Sequence, residues 1–164
     1  MRKTLLKVGL ASAALLLMSS EVSAQTVNQP LAVSVTIGSR AQLTLSTANL
    51  VIPDGDPATV ASLVAPGLTV TVGARTASAQ PINLTVLASG DFTGSGTIPI
   101  GNLSWATTGT GFNLTGTSAT TAQPVGQWTG SGLRTGVQTY SLLNDWAYAP
   151  GTYATTLTYT LVVP

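Results

Sequence analysis

From Leu31 onward, apolar and polar residues alternate in short runs separated by turn residues. Leu31, Val33, Val35 and Ile37 alternate with Ala32, Ser34 and Thr36, up to Gly38-Ser39. Ala41, Leu43 and Leu45 alternate with Gln42, Thr44 and Ser46, and Asn49–Ile52 continues to a stop at Pro53-Asp-Gly-Asp-Pro57. Successive side chains of a strand point to opposite faces, so each run predicts a strand with one apolar face. Two prolines and a glycine in five residues cannot lie inside a strand. Ala58–Ala65 reads as a loop.

Further strands are predicted at Leu68, Val70 and Val72, and at Ile82, Leu84 and Val86. Ser89–Gly96 reads as a loop. Ile98, Ile100, Leu103 and Trp105 predict a strand interrupted at Gly101 by a bulge or bend. Phe112–Leu114 is a short strand, Thr115–Ala122 a connection, and Val125 and Trp128 belong to another short strand. In the next strand Gln138, Tyr140 and Leu142 share one parity. The most legible run is Tyr153 to Pro164. Tyr153, Leu157, Tyr159, Leu161 and Val163 fall on one face and Thr156, Thr158 and Thr160 on the other. It predicts one long, central or closing strand, entered through Pro150-Gly151. A tyrosine entering a strand at a sandwich corner buries its ring and bonds its hydroxyl to nearby backbone, and Tyr153 holds that position.

About eight or nine short strands with turn signals between them, and no helical period, predict an all-β sandwich or barrel.

The start of the chain has a different pattern. Arg2, Lys3 and Lys7 flank an apolar run from Val8 to Met18, followed by Ser19-Ser-Glu and Val22-Ser-Ala24. A basic start, a short apolar run and a small-x-small end predict a secretory signal peptide over 1–24, cleaved after Ala24. The run is shorter than the roughly 20 apolar residues a membrane span needs. Residues 25–164 are then one extracytoplasmic domain, in the periplasm or at the cell surface, of ordinary size. It has no cysteine, so no disulfide supports it.

Without residues 1–24 the charged residues are Arg40, Arg75 and Arg134 against Asp54, Asp56, Asp91 and Asp145. Three scattered arginines make no basic groove, so nucleic acid is not an expected partner. The absence of histidine excludes a Ser-His-Asp triad and a Cys-His pair, and with no cysteine either, an ordinary zinc site. Four turn aspartates do not suit a glycosidase pair. The expectation is a non-enzymatic protein without a cofactor. Asp54-Gly-Asp56 holds the closest pair of carboxylates. Oxygen ligands suit calcium, and the same residues suit a solvated turn. Trp128 and Trp146 lie near turns and are candidates for an exposed platform that stacks sugars, whereas most sandwich aromatics belong to the core.

The segment Leu31–Ile37 has two readings. It is the first strand of its own sandwich, or it is donated to a neighbouring subunit and completes that subunit's sheet. Both bury one face.

An alternating N-terminal segment, a run ending Leu50-Val-Ile-Pro-Asp54, and Pro150-Gly-Thr-Tyr153 before a threonine-rich strand resemble the Ig-like subunits of bacterial chaperone–usher pili, especially the archaic, spore-coat-U-like type. The resemblance covers the two ends of the chain. It implies an Ig-like sandwich, with Leu31, Val33, Val35 and Ile37 as strand-donor residues and the final strand as part of an incomplete sandwich. Members commonly carry a cysteine near the position of Ala41 and a later partner; this chain has neither. A second resemblance is to WxL-type surface domains, which implies adhesion to surface glycans or cell wall, but Trp128-Thr-Gly does not match the Trp-x-Leu motif. The expectation is a surface subunit that associates with itself or homologous subunits by strand addition. The alternative is an adhesion module.

Overall fold

A computed structural model describes residues 27–113 and 115–164. The expected signal peptide and Leu114 lie outside the described residues. The chain divides into a unit ending at Val35 and a unit Thr36–Pro164. In the first, residues 27–35 are exposed and carry no strand.

The second unit is an all-β sandwich of twelve strands: β1 Arg40–Leu45, β2 Ser62–Val64, β3 Leu68–Arg75, β4 Ile82–Ala88, β5 Phe92–Gly94, β6 Thr97–Ile98, β7 Leu103–Thr108, β8 Thr115–Thr117, β9 Gln123–Trp128, β10 Gly132–Leu143, β11 Tyr153–Ala154 and β12 Leu157–Val162. One sheet has the order β1-β3-β10-β7-β8, with β2 also on β10 beyond the end of β3. A second has the order β12-β4-β9, and a small third the order β11-β5-β6. All pairings are antiparallel.

Alternation decides which face each strand buries. Leu68, Val70 and Val72 of β3, with Gln138, Tyr140 and Leu142 of β10, form the inner face of the first sheet. Ile82, Leu84, Val86 and Ala88 of β4 oppose them from the second. Burying a side chain of this size contributes about 1.5–3 kcal/mol, which makes the β3, β4 and β10 faces the centre of stability.

Several expected elements differ. The interruption near Gly101 is a 3₁₀ turn, Ile100–Asn102, between β6 and β7. Phe112 forms an isolated bridge to Gly126. Asn49–Ile52 carries no strand, and neither does Leu31–Ile37 although it alternates, because alternation records which face is apolar and not whether a partner strand is present. β2, β5 and β8 lie in segments expected to be loops; at three residues each they are too short to show a period. The run from Tyr153 is two strands in two sheets. Its main part, β12, is an edge strand, paired among the described residues only with β4, and not central.

The corner is as expected. The Tyr153 hydroxyl donates to the Ala149 carbonyl at 2.7 Å, its ring is half-buried, and Gly151 takes φ +154°. The parity of β12 also holds: Leu157, Tyr159, Leu161 and Val163 are half-buried, and Thr158, Thr160 and Val162 are exposed.

Candidate functional site

The segment Leu31–Ile37 presents its apolar residues to solvent. Leu31 is 86 %, Val33 84 %, Val35 81 % and Ile37 64 % exposed. A free segment of this pattern is costly in water, since each apolar side chain forgoes the burial that its alternation is suited to.

In the second unit, two edges leave apolar side chains incompletely covered. β12 pairs with β4 on one side and with no strand on the other among the described residues. Leu157, Tyr159 and Leu161 are only half-buried, whereas Leu84 and Val86 on the adjacent β4 are fully covered. In the same way β1 pairs only with β3, and Leu43 and Leu45 are half-buried beside buried Val70 and Val72. β1 and β12 belong to different sheets, approach each other, and share no ladder. One side of this sandwich therefore carries two open strand edges with inward apolar residues. An open edge offers unpaired N–H and C=O groups that an added strand can satisfy.

Behind β12 the interior is polar at one point. The hydroxyls of Tyr140 and Tyr159 lie 2.7 Å apart, and Tyr159 donates to Oε1 of Gln138, which is fully buried. Burial pushes the Tyr140 phenol up to about 12, with the Tyr159 hydrogen bond pulling it partly back. Burial also raises Tyr159, reinforced by Tyr140 beside it. These hydroxyls are hydrogen-bonded protonated groups that orient β12 against β10.

The two tryptophans expected to be exposed divide. Trp146 is 73 % exposed in the turn after β10. Trp128 is corrected: it is only 7 % exposed, its ring packs edge-on against Phe112 at 5.0 Å, and its Nε1 donates to the Thr110 carbonyl at 3.0 Å. Gly111 (φ +82°) and Gly126 have no side chain where that ring lies, which is what makes room for it. No two-tryptophan platform results.

Asp54 and Asp56 serve the turn. An Oδ1 of Asp54 accepts from the Gly55 N–H and one of Asp56 from the Ala58 N–H. Among the described residues no group of three or more potential metal ligands occurs, and no helix is long and apolar enough to cross a membrane. Arg40 and Arg75 stand directly opposite each other on β1 and β3, whereas Arg134, on the next strand β10, is opposite Val72 on the other parity. No family model matches the chain, and neither does any curated protein.

Proposed function

We propose that this chain is a non-enzymatic, exported structural subunit of a surface fibre or layer, and that copies associate by β-strand addition. In this reading Leu31–Ile37 of one copy adds to the open edge of β12 in the next. It is the observation of Leu31, Val33, Val35 and Ile37 exposed on one parity, in a chain whose β12 and β1 edges leave Leu157, Tyr159, Leu161, Leu43 and Leu45 half-covered, that supports it. The two features are complementary in chemistry. The segment has four apolar residues at every second position and lacks a sheet, and the edge has apolar residues at every second position and lacks a strand. Strand addition supplies backbone hydrogen bonds and alternate side-chain contacts together. The resemblance to chaperone–usher subunits supports the same reading from the two ends of the sequence.

The test is deletion of residues 25–37. The shortened chain is expected to fold and to remain monomeric in sedimentation, and a synthetic peptide of residues 27–39 is expected to bind it and raise its Tm. Assembly of the shortened chain at the level of the full one would refute the proposal.

A second reading, an adhesion module for surface glycans, is favoured by the exposed ring of Trp146 alone. Unchanged glycan or cell-wall retention on replacing Trp146 by Ala would remove it.

A further inference from the structure

The charged residues of the sandwich are sorted by end. Arg40 stands directly opposite Arg75 in the β1–β3 ladder, and Arg134 lies on β10 two residues beyond Gly132, the partner of Ala74. All three therefore sit at one end of the first sheet, with Arg40 and Arg75 lining a concavity there together with Gln42 and Ser131. Like charges directly opposite each other on a sheet oppose folding, so stability does not account for this pair.

The aspartates of the described residues sit at the other end. Asp145 is two residues past the end of β10, and the neighbouring Asn144 holds the Asp54–Asp56 turn by donating to the Gly55 carbonyl at 3.0 Å. Asp91 accepts from the Ile100 N–H at 2.8 Å, in the 3₁₀ turn leading into β7, whose Leu103 pairs with Leu142 near the end of β10. Asp54, Asp56, Asp91 and Asp145 are all exposed.

β10 spans both ends. Its twelve residues, at about 3.3 Å each, hold the two charge sets roughly 35 Å apart. The Debye length at physiological salt is about 8 Å, so the two ends do not feel each other within one copy. They interact strongly only across a contact between copies.

The chain path says which ends would meet. Ile37 is three residues before Arg40, so the segment is tethered within about 10 Å of the arginine end. β12 begins with Leu157 opposite Ala88, three residues before Asp91, and ends with Val162 opposite Asn83, two residues before Pro164, whose carbonyl accepts from the Thr76 hydroxyl beside Arg75. A segment adding antiparallel to β12 brings Ile37 to the aspartate end of its neighbour and sets the arginine end of one copy on the aspartate end of the next. A segment adding parallel sets arginine end against arginine end. Antiparallel ladders are also slightly the more stable.

We infer that successive copies of this chain meet arginine end to aspartate end, and that this charge contact fixes the direction in which Leu31–Ile37 enters its neighbour. The inference rests on the strand-addition reading above.

The test uses the purified full chain, with assembly followed by light scattering. Arg40→Gln/Arg75→Gln neutralises one end. Asp54→Asn/Asp56→Asn/Asp91→Asn/Asp145→Asn neutralises the other and keeps each side-chain oxygen that accepts a turn hydrogen bond. At about 50 mM salt each variant is expected to assemble at least about tenfold more slowly than the unaltered chain, and at about 500 mM the difference is expected to vanish by screening. Val35→Asp is the control for the reading beneath. If Val35→Asp blocks assembly and the neutralised variants match the unaltered chain at low salt, strand addition stands and the charge contact is overturned. If Val35→Asp assembles normally, both fall. Direction has its own readout, since the chain lacks cysteine. Ser39→Cys is expected to form intermolecular disulfides with Gly90→Cys, at the aspartate end, and not with Ala79→Cys, beyond Arg75; the reverse pattern overturns the inference even where a charge variant fails to fold.

Discussion

The hydroxyls of Tyr140 and Tyr159 meet 2.7 Å apart between the two main sheets, one from the long strand β10 and one from the edge strand β12. Tyr159 also donates to Gln138, so removing its oxygen strands two buried partners. Tyr159→Phe is therefore expected to cost about 1–3 kcal/mol, because an unsatisfied buried group costs its full desolvation. Tyr140→Phe leaves the Tyr159–Gln138 bond in place and is expected to cost less. Urea unfolding of both variants checks the order; equal or reversed losses would show that the chain of bonds does not bind β12 to β10.

The same pair predicts an alkaline limit. Both phenols have folded values above their unfolded one, Tyr140 at about 12. A group raised in the folded state contributes its stability fully below the unfolded value of about 10 and loses it as pH rises toward the folded value. Stability is thus expected to be insensitive to these groups below about pH 10 and to fall between about pH 10 and 12. The fall should be smaller in Tyr140→Phe/Tyr159→Phe. Chemical unfolding midpoints measured across that range, in both proteins, provide the comparison.

Tyr153 ties the turn before β11 to itself through the Ala149 carbonyl. The bond is neutral and partly wet, so Tyr153→Phe is expected to cost about 0.5–1.5 kcal/mol, in the range of an ordinary net hydrogen bond. A thermal shift indistinguishable from zero would show that the ring, and not the hydroxyl, holds this corner.

Gly116 pairs with Trp105 across the β7–β8 ladder, and the indole of Trp105 lies where a Cβ on Gly116 would be. Gly116→Ala must displace a ring that is only 3 % exposed. Overpacking of this kind costs about 1–3 kcal/mol. Loss of stability together with a change in tryptophan emission is the expected signature, and an unchanged spectrum would mean that β8 simply moves away.

What the sequence made readable was local. The parity of β3, β4, β10 and β12, and the corner at Tyr153, follow from period-two alternation and one turn, and the structure has them. Features set by pairing were not readable. Alternation is the same for an edge strand as for a central one, so the edge position of β12 was hidden. Trp128 was misread because its burial depends on Gly111 and Gly126, the first of them 17 residues away, and because β9 breaks alternation where its register with β4 shifts near Leu84 and Thr85. The pairing of Arg40 with Arg75 was hidden because 35 residues separate them, and only the β1–β3 ladder brings them together.

Parity offers the sharpest check on the segment Leu31–Ile37. If it adds to a sheet, one face enters the neighbour's apolar edge and the other stays wet. Aspartate at Val33 or Val35 would then carry a charge into that interface, losing the about 1.5–3 kcal/mol that burial of each side chain contributes and adding a desolvation cost. Aspartate at Ser34 or Thr36, one residue away with the same added charge, would point outward. The concentration needed for assembly is expected to rise about a hundredfold or more for the first pair, since each 1.4 kcal/mol is about tenfold, and only a few-fold for the second. Equal effects at odd and even positions would mean that the segment acts through its charge or as a tether, and not as a strand.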